Sequence, residues 1–302
     1  MTQTTTPTLR LWSIEEWIAN HRTLTIGPFE FASWVHRDEV ADRPWLLLIH
    51  GFPTSSWDWS ALWRPLSEQF NLAAIDMLGF GLSDKPRNHQ YALVSQADLQ
   101  EALLAELGVS EAHILCHDYG VSVAQELLAR QAEHALSFRL QSVCFLNGGI
   151  FPRQHRPRLI QKLALTPLGP VISARLSKEK LRQTFCDIFG PQTPPTSREI
   201  DGHWQMMTHN QGKRVFHKTM RYMKDRLVHQ HRWESAVTQT DLPLRLINGG
   251  KDPISGKHLY TYYRENVPNA DSVLLEDIGH YPQTEAPEEV LDAFLAFHGH
   301  RA

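Results

Sequence analysis

Cys116-His117-Asp118-Tyr119-Gly120 is the stretch on which the reading of the fold turns. A short, mostly apolar run, Ala112 to Leu115, precedes it, and a helical run, Val121 to Arg130, follows. Small residues stand two before and two after Asp118. That spacing predicts a sharp strand-to-helix turn, the nucleophile elbow, whose flanking positions have no room for large side chains. The residue at the tip of such a turn is normally serine. Here it is aspartate, so the group presented is a carboxylate. An aspartate that merely caps a helix is the plain alternative; the elbow spacing and the motifs below weigh against it. Gly120-Val121-Ser122-Val123-Ala124 looks like a G-x-S-x-G signature, but the apparent strand ends at His117. Ser122 falls a full turn into the following helix, where its hydroxyl cannot sit at the tip.

Working outward, short apolar runs alternate with helical patterns. The expected strands are Trp45–His50, Leu72–Asp76, Ala112–His117, Val143–Asn147, Leu244–Asn248 and Ser272–Leu275, with helices such as Ser95–Leu107 between the early ones. Apolar strands alternating with helices predict an α/β fold, a mostly parallel central sheet covered on both faces. Two earlier runs, Leu24–Ile26 and Phe31–Val35, read as an antiparallel hairpin at one edge. The alternation stops between Ile150 and Ala236, which reads as helices and loops. That stretch holds 16 Lys/Arg and 6 Asp/Glu, a net +10, while the rest carries −13. The expected organisation is a core in two parts, 1–149 and 237–302, with a helical cap over 150–236, inserted where ligands of open α/β sheets bind. The cap charge is read as a solvated face rather than as an anion-attracting one.

With 302 residues, 42% apolar and 21% charged, the chain can bury a full core. The net charge of −3 argues against nucleic acid. The start, Met1 to Arg10, is Thr-rich and lacks the apolar centre of a secretory leader. Apolar runs such as Trp45–Ile49 are far short of the roughly 20 residues of a membrane helix. Cys116, Cys144 and Cys186 have no metal-ligand spacing, and His229 with His231 has no neighbouring cysteine or carboxylate cluster. The expectation is a cytoplasmic protein without metal or cofactor.

Three further motifs follow strands. His50-Gly51-Phe52-Pro53 follows Trp45–Ile49 and can aim the Phe52 N–H into a site; Tyr119, the residue after the nucleophile, supplies a second N–H, and the two make an oxyanion hole. Asp252, in Gly249-Gly250-Lys251-Asp252-Pro253, is the candidate to orient a base. His280, in Gly279-His280-Tyr281-Pro282, is the candidate base. The chain has 17 histidines; the order Asp118, Asp252, His280 singles this one out.

These residues carry a resemblance that spans about Leu24 to Phe297. The chain resembles the α/β-hydrolases with an aspartate nucleophile, the group of epoxide hydrolases and haloalkane dehalogenases. Within it, the chain is similar to the mesoderm-specific transcript proteins and their bacterial relatives. Besides the motifs above, the carrying segments are Asp76-Met77-Leu78-Gly79-Phe80-Gly81-Leu82-Ser83-Asp84-Lys85-Pro86 and Asn147-Gly148-Gly149-Ile150-Phe151-Pro152. The resemblance implies the triad and an α/β-hydrolase fold. Dehalogenases of the group usually have Trp after the nucleophile, and many have Asn after the His-Gly pair; Tyr119 and Phe52 depart from both. Epoxide hydrolases of the group use two lid tyrosines. This lid has one, Tyr222, with His155, His203 and Trp204 as possible stand-ins for the other; Trp57 joins His155, His203 and Trp204 as an expected substrate contact.

An aspartate nucleophile suits alkyl carbon. Attack on an ester carbonyl would give an anhydride that collapses back. Attack on saturated carbon gives an alkyl–enzyme ester, which water activated by His280 can hydrolyse. The expected function is a cofactor-free hydrolase of a small apolar or amphipathic electrophile, with an epoxide preferred. Haloalkane or haloacid dehalogenation, ester or lactone hydrolysis, and a non-catalytic binding role on the same fold are the alternatives.

Overall fold

The computed structural model describes residues 9, 11–40 and 42–299. Most of the Thr-rich start, residues 1–8 and Arg10, lies outside them. Eight strands make one sheet: β1 (Arg22–Ile26), β2 (Phe29–His36), β3 (Trp45–Ile49), β4 (Asn71–Ile75), β5 (Glu111–Asp118), β6 (Arg139–Gly148), β7 (Leu244–Gly249) and β8 (Asp271–Leu275). Their order in space is β1-β2-β4-β3-β5-β6-β7-β8. The β1–β2 and β2–β4 pairs are antiparallel, and the other pairs are parallel. The expected hairpin edge and the six later strands are all present. β6 begins at Arg139 rather than near Val143, because its first turn, Arg139-Leu140-Gln141, alternates exposed and buried positions. A run that alternates carries no continuous apolar signal.

The inner strands are buried on both faces, and their side chains divide by parity. Leu47, Ile49, Ala73, Ile75, Ile114, Cys116 and Phe145 face one core. Leu46, Leu48, Leu72, Ala74, Leu115, Cys144 and Leu146 face the other. Helices Leu93–Glu106 and Tyr119–Ala132 cover the first face, and Ile14–Ala19 and Pro287–Phe297 cover the second. Each layer buries an apolar stripe that could not stay in water. From β3 the chain passes to β4 on one side and then returns to β5 on the other. The carboxyl ends of β3 and β5 therefore flank a switch point, where an open α/β sheet leaves a crevice.

Between β6 and β7 the described chain is helices and connections without strands. This insertion lies over the crevice: Ile188 O accepts the His280 N–H at 2.8 Å, and the Phe216 ring sits 5.0 Å from that of Phe52. Its last helix, Gln230–Thr238, packs alongside Tyr119–Ala132, where Trp233 Nε1 donates to Glu126 at 2.7 Å and Arg232 pairs with Glu133. The boundary expected at residue 236 thus falls inside a helix that packs on the core. Among the described residues no helix is long and apolar enough to cross a membrane.

The turn at the end of β5 is as sharp as its sequence implies. Asp118 has φ 45° and ψ −101°, a region that non-glycine residues rarely adopt. A Cβ on Gly120 would lie 2.3 Å from the Ile49 carbonyl oxygen and 2.8 Å from that of His50. The start of the helix is pressed against the end of β3, and only hydrogen fits there. Gly120→Ala is therefore expected to destabilise the fold by about 2 kcal/mol or more, as overpacking against backbone does. Urea denaturation monitored by tryptophan fluorescence checks this; an unchanged midpoint would show that the two elements can separate freely.

Candidate active site

Asp118 sits at the elbow tip, 4% exposed, and its two carboxylate oxygens have different partners. Oδ2 accepts the Phe52 N–H at 3.1 Å. Oδ1 lies 3.9 Å from His280 Nε2 and 3.8 Å from Arg226 Nη2. Both gaps are too long for hydrogen bonds, and Asp118 lines the cavity above it. Tyr119 opens the helix Tyr119–Ala132, and its N–H is among the first four, which have no intrahelical acceptor. The Phe52 N–H thus reaches the carboxylate, and Tyr119 is the residue that follows Asp118 in the chain, at the start of the helix.

The loop that carries Phe52 is held from several directions. His50 Nδ1 donates to the Gly51 carbonyl at 2.8 Å, and His50 Nε2 accepts the Met77 N–H at 3.0 Å. Burial lowers the imidazole's pKa, in keeping with this neutral, one-donor ring. Asp76 ties two loops together, accepting the Ser56 N–H and the Leu82 N–H, each at 2.8 Å. Gly81, at φ 48°, passes so close to this carboxylate that a Cβ would overlap it. The Asp76-to-Pro86 segment is in this way a brace for the oxyanion loop.

His280 Nδ1 donates to Asp252 Oδ2 at 2.8 Å. The same oxygen accepts from Asn147 Nδ2 at 2.9 Å and from the Ser255 hydroxyl at 2.6 Å, while Oδ1 accepts the Ile254 N–H at 2.7 Å. Burial alone would raise the Asp252 carboxyl; His280 and these donors outweigh it and hold the group well below the usual carboxylate range. Burial alone would likewise lower His280, but the carboxylates of Asp252 and Asp118 push it up, to about 9. His280 Nε2 is left facing Asp118 with no other partner.

The cavity over Asp118 is walled mainly by apolar side chains, among them Phe52, Leu181, Phe185, Met207, Phe216 and Ile254. His155, Gln161 and His280 add polar groups to its lining. Tyr222 is 1% exposed, 5.6 Å from the Phe52 ring and 5.1 Å from that of Tyr119. Its hydroxyl oxygen accepts from Gln161 Nε2 at 3.4 Å, and Gln161 Oε1 in turn accepts the Arg158 N–H, which fixes the amide's sense. The tyrosine's own proton is left to donate. Burial, and then the Asp118 charge, raise its pKa, so the phenol stays protonated.

Of the four residues expected to contact substrate, only His155 lines this cavity, with neither ring nitrogen partnered. Burial, then Arg226, hold it down at about 3. Trp57 turns away into the core, with Gly202 against its ring and its Nε1 donating to Trp12 O at 3.2 Å. His203 is packed between Trp57 and Phe185, with ring centroids 4.9 and 5.3 Å away. Trp204 lies one position, or about 100°, further round the same helix. It is covered by Lys213 and does not reach the cavity. Sequence reading also passed over residues that shape the site. Asn147 and Ser255 hold Asp252. Asp58, fully buried, takes the Thr54 hydroxyl at 2.5 Å, and burial pushes its carboxyl up to about 8. Arg226 touches the elbow. Only Arg226 had a usable signal: it stands four residues after Tyr222, on the same helix face.

The His280–Asp252 pair sets a pH signature. His280 has a folded pKa of about 9 against an ordinary 6.5, so its contribution to stability is complete below about pH 6.5 and is lost as pH rises through 9. Asp252 is depressed, so its contribution is complete above its ordinary 3.8 and is lost as pH falls. The stability difference between wild type and Asp252→Asn is expected to be largest between these limits and to shrink from pH 6.5 to 9. Denaturant titrations across that range test it; a difference independent of pH would mean that the pair is not ionised.

The family model described as the alpha/beta hydrolase fold matches residues 44–287. The mesoderm-specific transcript protein of Mus musculus is 36% identical over 299 residues, covering 96% of this chain and 88% of its own length. A Mycobacterium tuberculosis protein named as hydrolase LipZ is 37% identical over 284 residues, covering 94% and 97%. Among solved structures, haloalkane dehalogenase DbeA from Bradyrhizobium elkani superposes with a TM-score of 0.77 at 18% identity, over 92% of this chain and 97% of that one. Epoxide hydrolase CorEH does so with 0.74 at 18%, over 92% and 98%. At such identities the structural likeness speaks for the fold alone. The family match over most of the chain, joined to the strand order and the elbow, makes this protein a member of the α/β-hydrolase fold family.

Proposed function

We propose that the protein is an epoxide hydrolase that works without a cofactor, through an alkyl–enzyme ester on Asp118. The observation that carries this reading is the position of the Asp118 carboxylate. One oxygen rests on the Phe52 N–H while the other is free beside His280. A serine hydroxyl there would need a base to become a nucleophile; a carboxylate is one already.

In the first step Asp118 Oδ1 attacks a ring carbon of the epoxide. The carbon–oxygen bond of the ring breaks, and the departing oxygen takes the proton of Tyr222. In the second step water attacks the ester carbonyl, and His280 Nε2 takes its proton. Negative charge on the carbonyl oxygen, Oδ2, is met by the N–H groups of Phe52 and Tyr119. Asp252 holds the imidazole by its Nδ1–H and stabilises the imidazolium. Collapse releases Oδ1 with the diol, which takes the proton back from His280, and leaves the water oxygen in the Asp118 carboxyl, whose remaining proton passes to His280 and restores the resting state. Once Asp118 is esterified, its charge no longer raises His280, so the imidazolium gives up its proton more readily, balancing the one that the Tyr222 phenolate regains, and the neutral ring is then free to act as the base.

The positions after the nucleophile and after the His-Gly pair favour an epoxide over a halide. Tyr119 and Phe52 bring aromatic rings there, packed on Tyr222 and Phe80, rather than side-chain N–H donors for a halide. Tyr222 offers the proton that an opening epoxide needs. Read this way, the helical insertion is a cap, and its apolar cavity wall suits a small apolar or amphipathic substrate.

Asp118→Asn is expected to abolish diol formation from terminal and internal epoxides. His280→Gln should gain the mass of one substrate on the peptide that contains Asp118, because the ester forms and is not hydrolysed. Halide release from haloalkanes without diol from epoxides would replace the reading with dehalogenation, and the absence of an adduct with any electrophile would favour a binding protein. Tyr222→Phe should slow ester formation by about 100-fold, the usual scale for loss of a general acid, and leave ester hydrolysis nearly unchanged. In wild type the rate of ester hydrolysis should rise with pH with a midpoint below 9, the value for the resting imidazole.

A further inference from the structure

We propose that Arg226 is the counter-ion of ring opening, a single guanidinium placed against the negative charge both before the step, on Asp118, and after it, on Tyr222. The proposal rests on the epoxide reading above and adds to it a residue that no motif marks.

Arg226 comes from the helix Tyr222–Val228 and is 2% exposed. Its side chain crosses from the insertion to the elbow. Nε donates to the Ser122 hydroxyl at 2.6 Å, and Nη2 donates to the Asp118 carbonyl oxygen at 3.0 Å. Ser122, the serine that imitates a nucleophile in the sequence, is thus a ligand of this guanidinium. Nη2 lies 3.8 Å from Asp118 Oδ1, and among the described residues Asp118 is the only carboxylate within ion-pair distance. The guanidinium carbon stands 4.5 Å from the centre of the Tyr222 ring, one helical turn away on the same face. Nη1 has no partner, and Gly149 leaves it room: a Cβ there would come within 2.5 Å of it.

A buried guanidinium is tolerated only with an anion beside it. Alkylation of Asp118 cancels the one anion that Arg226 has. A leaving group that departed as a free anion would carry the compensating charge away from the arginine as it left the site. Epoxide opening avoids this. Asp118 Oδ1 forms the new bond to carbon, the ring carbon–oxygen bond breaks, and its electron pair takes the Tyr222 proton. The charge that leaves Asp118 appears on the Tyr222 phenolate, whose ring face Arg226 already covers. The ion pair changes partner without motion of the cation, so a fixed charge does work that would otherwise need solvent to reorganise. The chain has one lid tyrosine where its resemblance implies two, and it sets an arginine against that one.

The test separates the two chemical steps. Ester formation and ester hydrolysis would be followed by quenched-flow intact mass with an epoxide, in wild type, Arg226→Gln, Arg226→Lys, Tyr222→Phe and the Tyr222→Phe/Arg226→Gln pair, each assayed at a temperature well below its own measured thermal midpoint. Arg226→Gln should slow ester formation at saturating substrate by at least about 100-fold, the scale for removing one preorganised charge contact, and change ester hydrolysis less than about tenfold. Arg226→Lys should recover part of the loss. The double variant should be little slower than Tyr222→Phe, because the arginine acts through the phenolate. Unchanged ester formation in Arg226→Gln, equal slowing of both steps, or fully additive losses in the double variant would overturn the proposal and leave Arg226 a structural clamp. No ester in wild type or in His280→Gln, with Arg226 in place, would sink the epoxide reading itself and the proposal with it.

Discussion

Charge balance in a closed space is the constraint on which the site depends. Asp118, Asp252, His280 and Arg226 are each nearly or wholly buried. Two are anions, one is a fixed cation, and His280 is a cation at neutral pH because the carboxylates around it hold its proton. The sum is then zero. Any one of these charges alone would be costly to bury, and removal of one partner from such a set is strongly destabilising. The groups that surround them, Asn147, Ser255 and Ser122, are hydrogen-bond partners that satisfy the remaining donors and acceptors. The arrangement is thus both an electrostatic unit and, in the proposed mechanism, the means by which charge moves.

Backbone packing supplies the geometry for that unit. The elbow helix begins against the carbonyl ends of β3, and Gly120 is the residue that lets it. The Phe52 loop meets the Asp118 carboxylate beside the same contact. Asp252 and His280 follow β7 and β8, which lie on the far side of β6 from β5, and Asn147 at the end of β6 bridges the interval. Parallel strands end at one edge of the sheet, so loops far apart in sequence meet without a special device. The stretch between β6 and β7 carries Tyr222 and Arg226 and supplies most of the cavity wall.

Much of the fold was legible because its signals are local. Continuous apolar runs marked the inner strands, and their parity decided which core each side chain joined. The small residues around Asp118 marked the turn, and the chain order of Asp118, Asp252 and His280 placed each after a strand. The stretch between β6 and β7 was read from a break in alternation and a change of charge, and the structure has helices and connections there. The helix Gln230–Thr238 ends a basic stretch yet packs on the core through Trp233 and Arg232, whose acidic partners lie about 100 residues earlier.

The sequence by itself determined the fold class, the strand positions and the loops that carry Asp118, Phe52, Asp252 and His280, because these follow from periodicity and from short-range sterics. Only the tertiary structure decided which residues of the insertion reach the nucleophile. His203 and Trp204 looked as suitable as His155, but one step along the helix put the first into an aromatic core and the second, half-buried, under Lys213. Arg226 looked like one more basic residue in a charged stretch and proved to be the cation against Asp118. A helix's sequence tells which residues share a face; what that face meets depends on contacts between segments distant along the chain, and no local pattern encodes them.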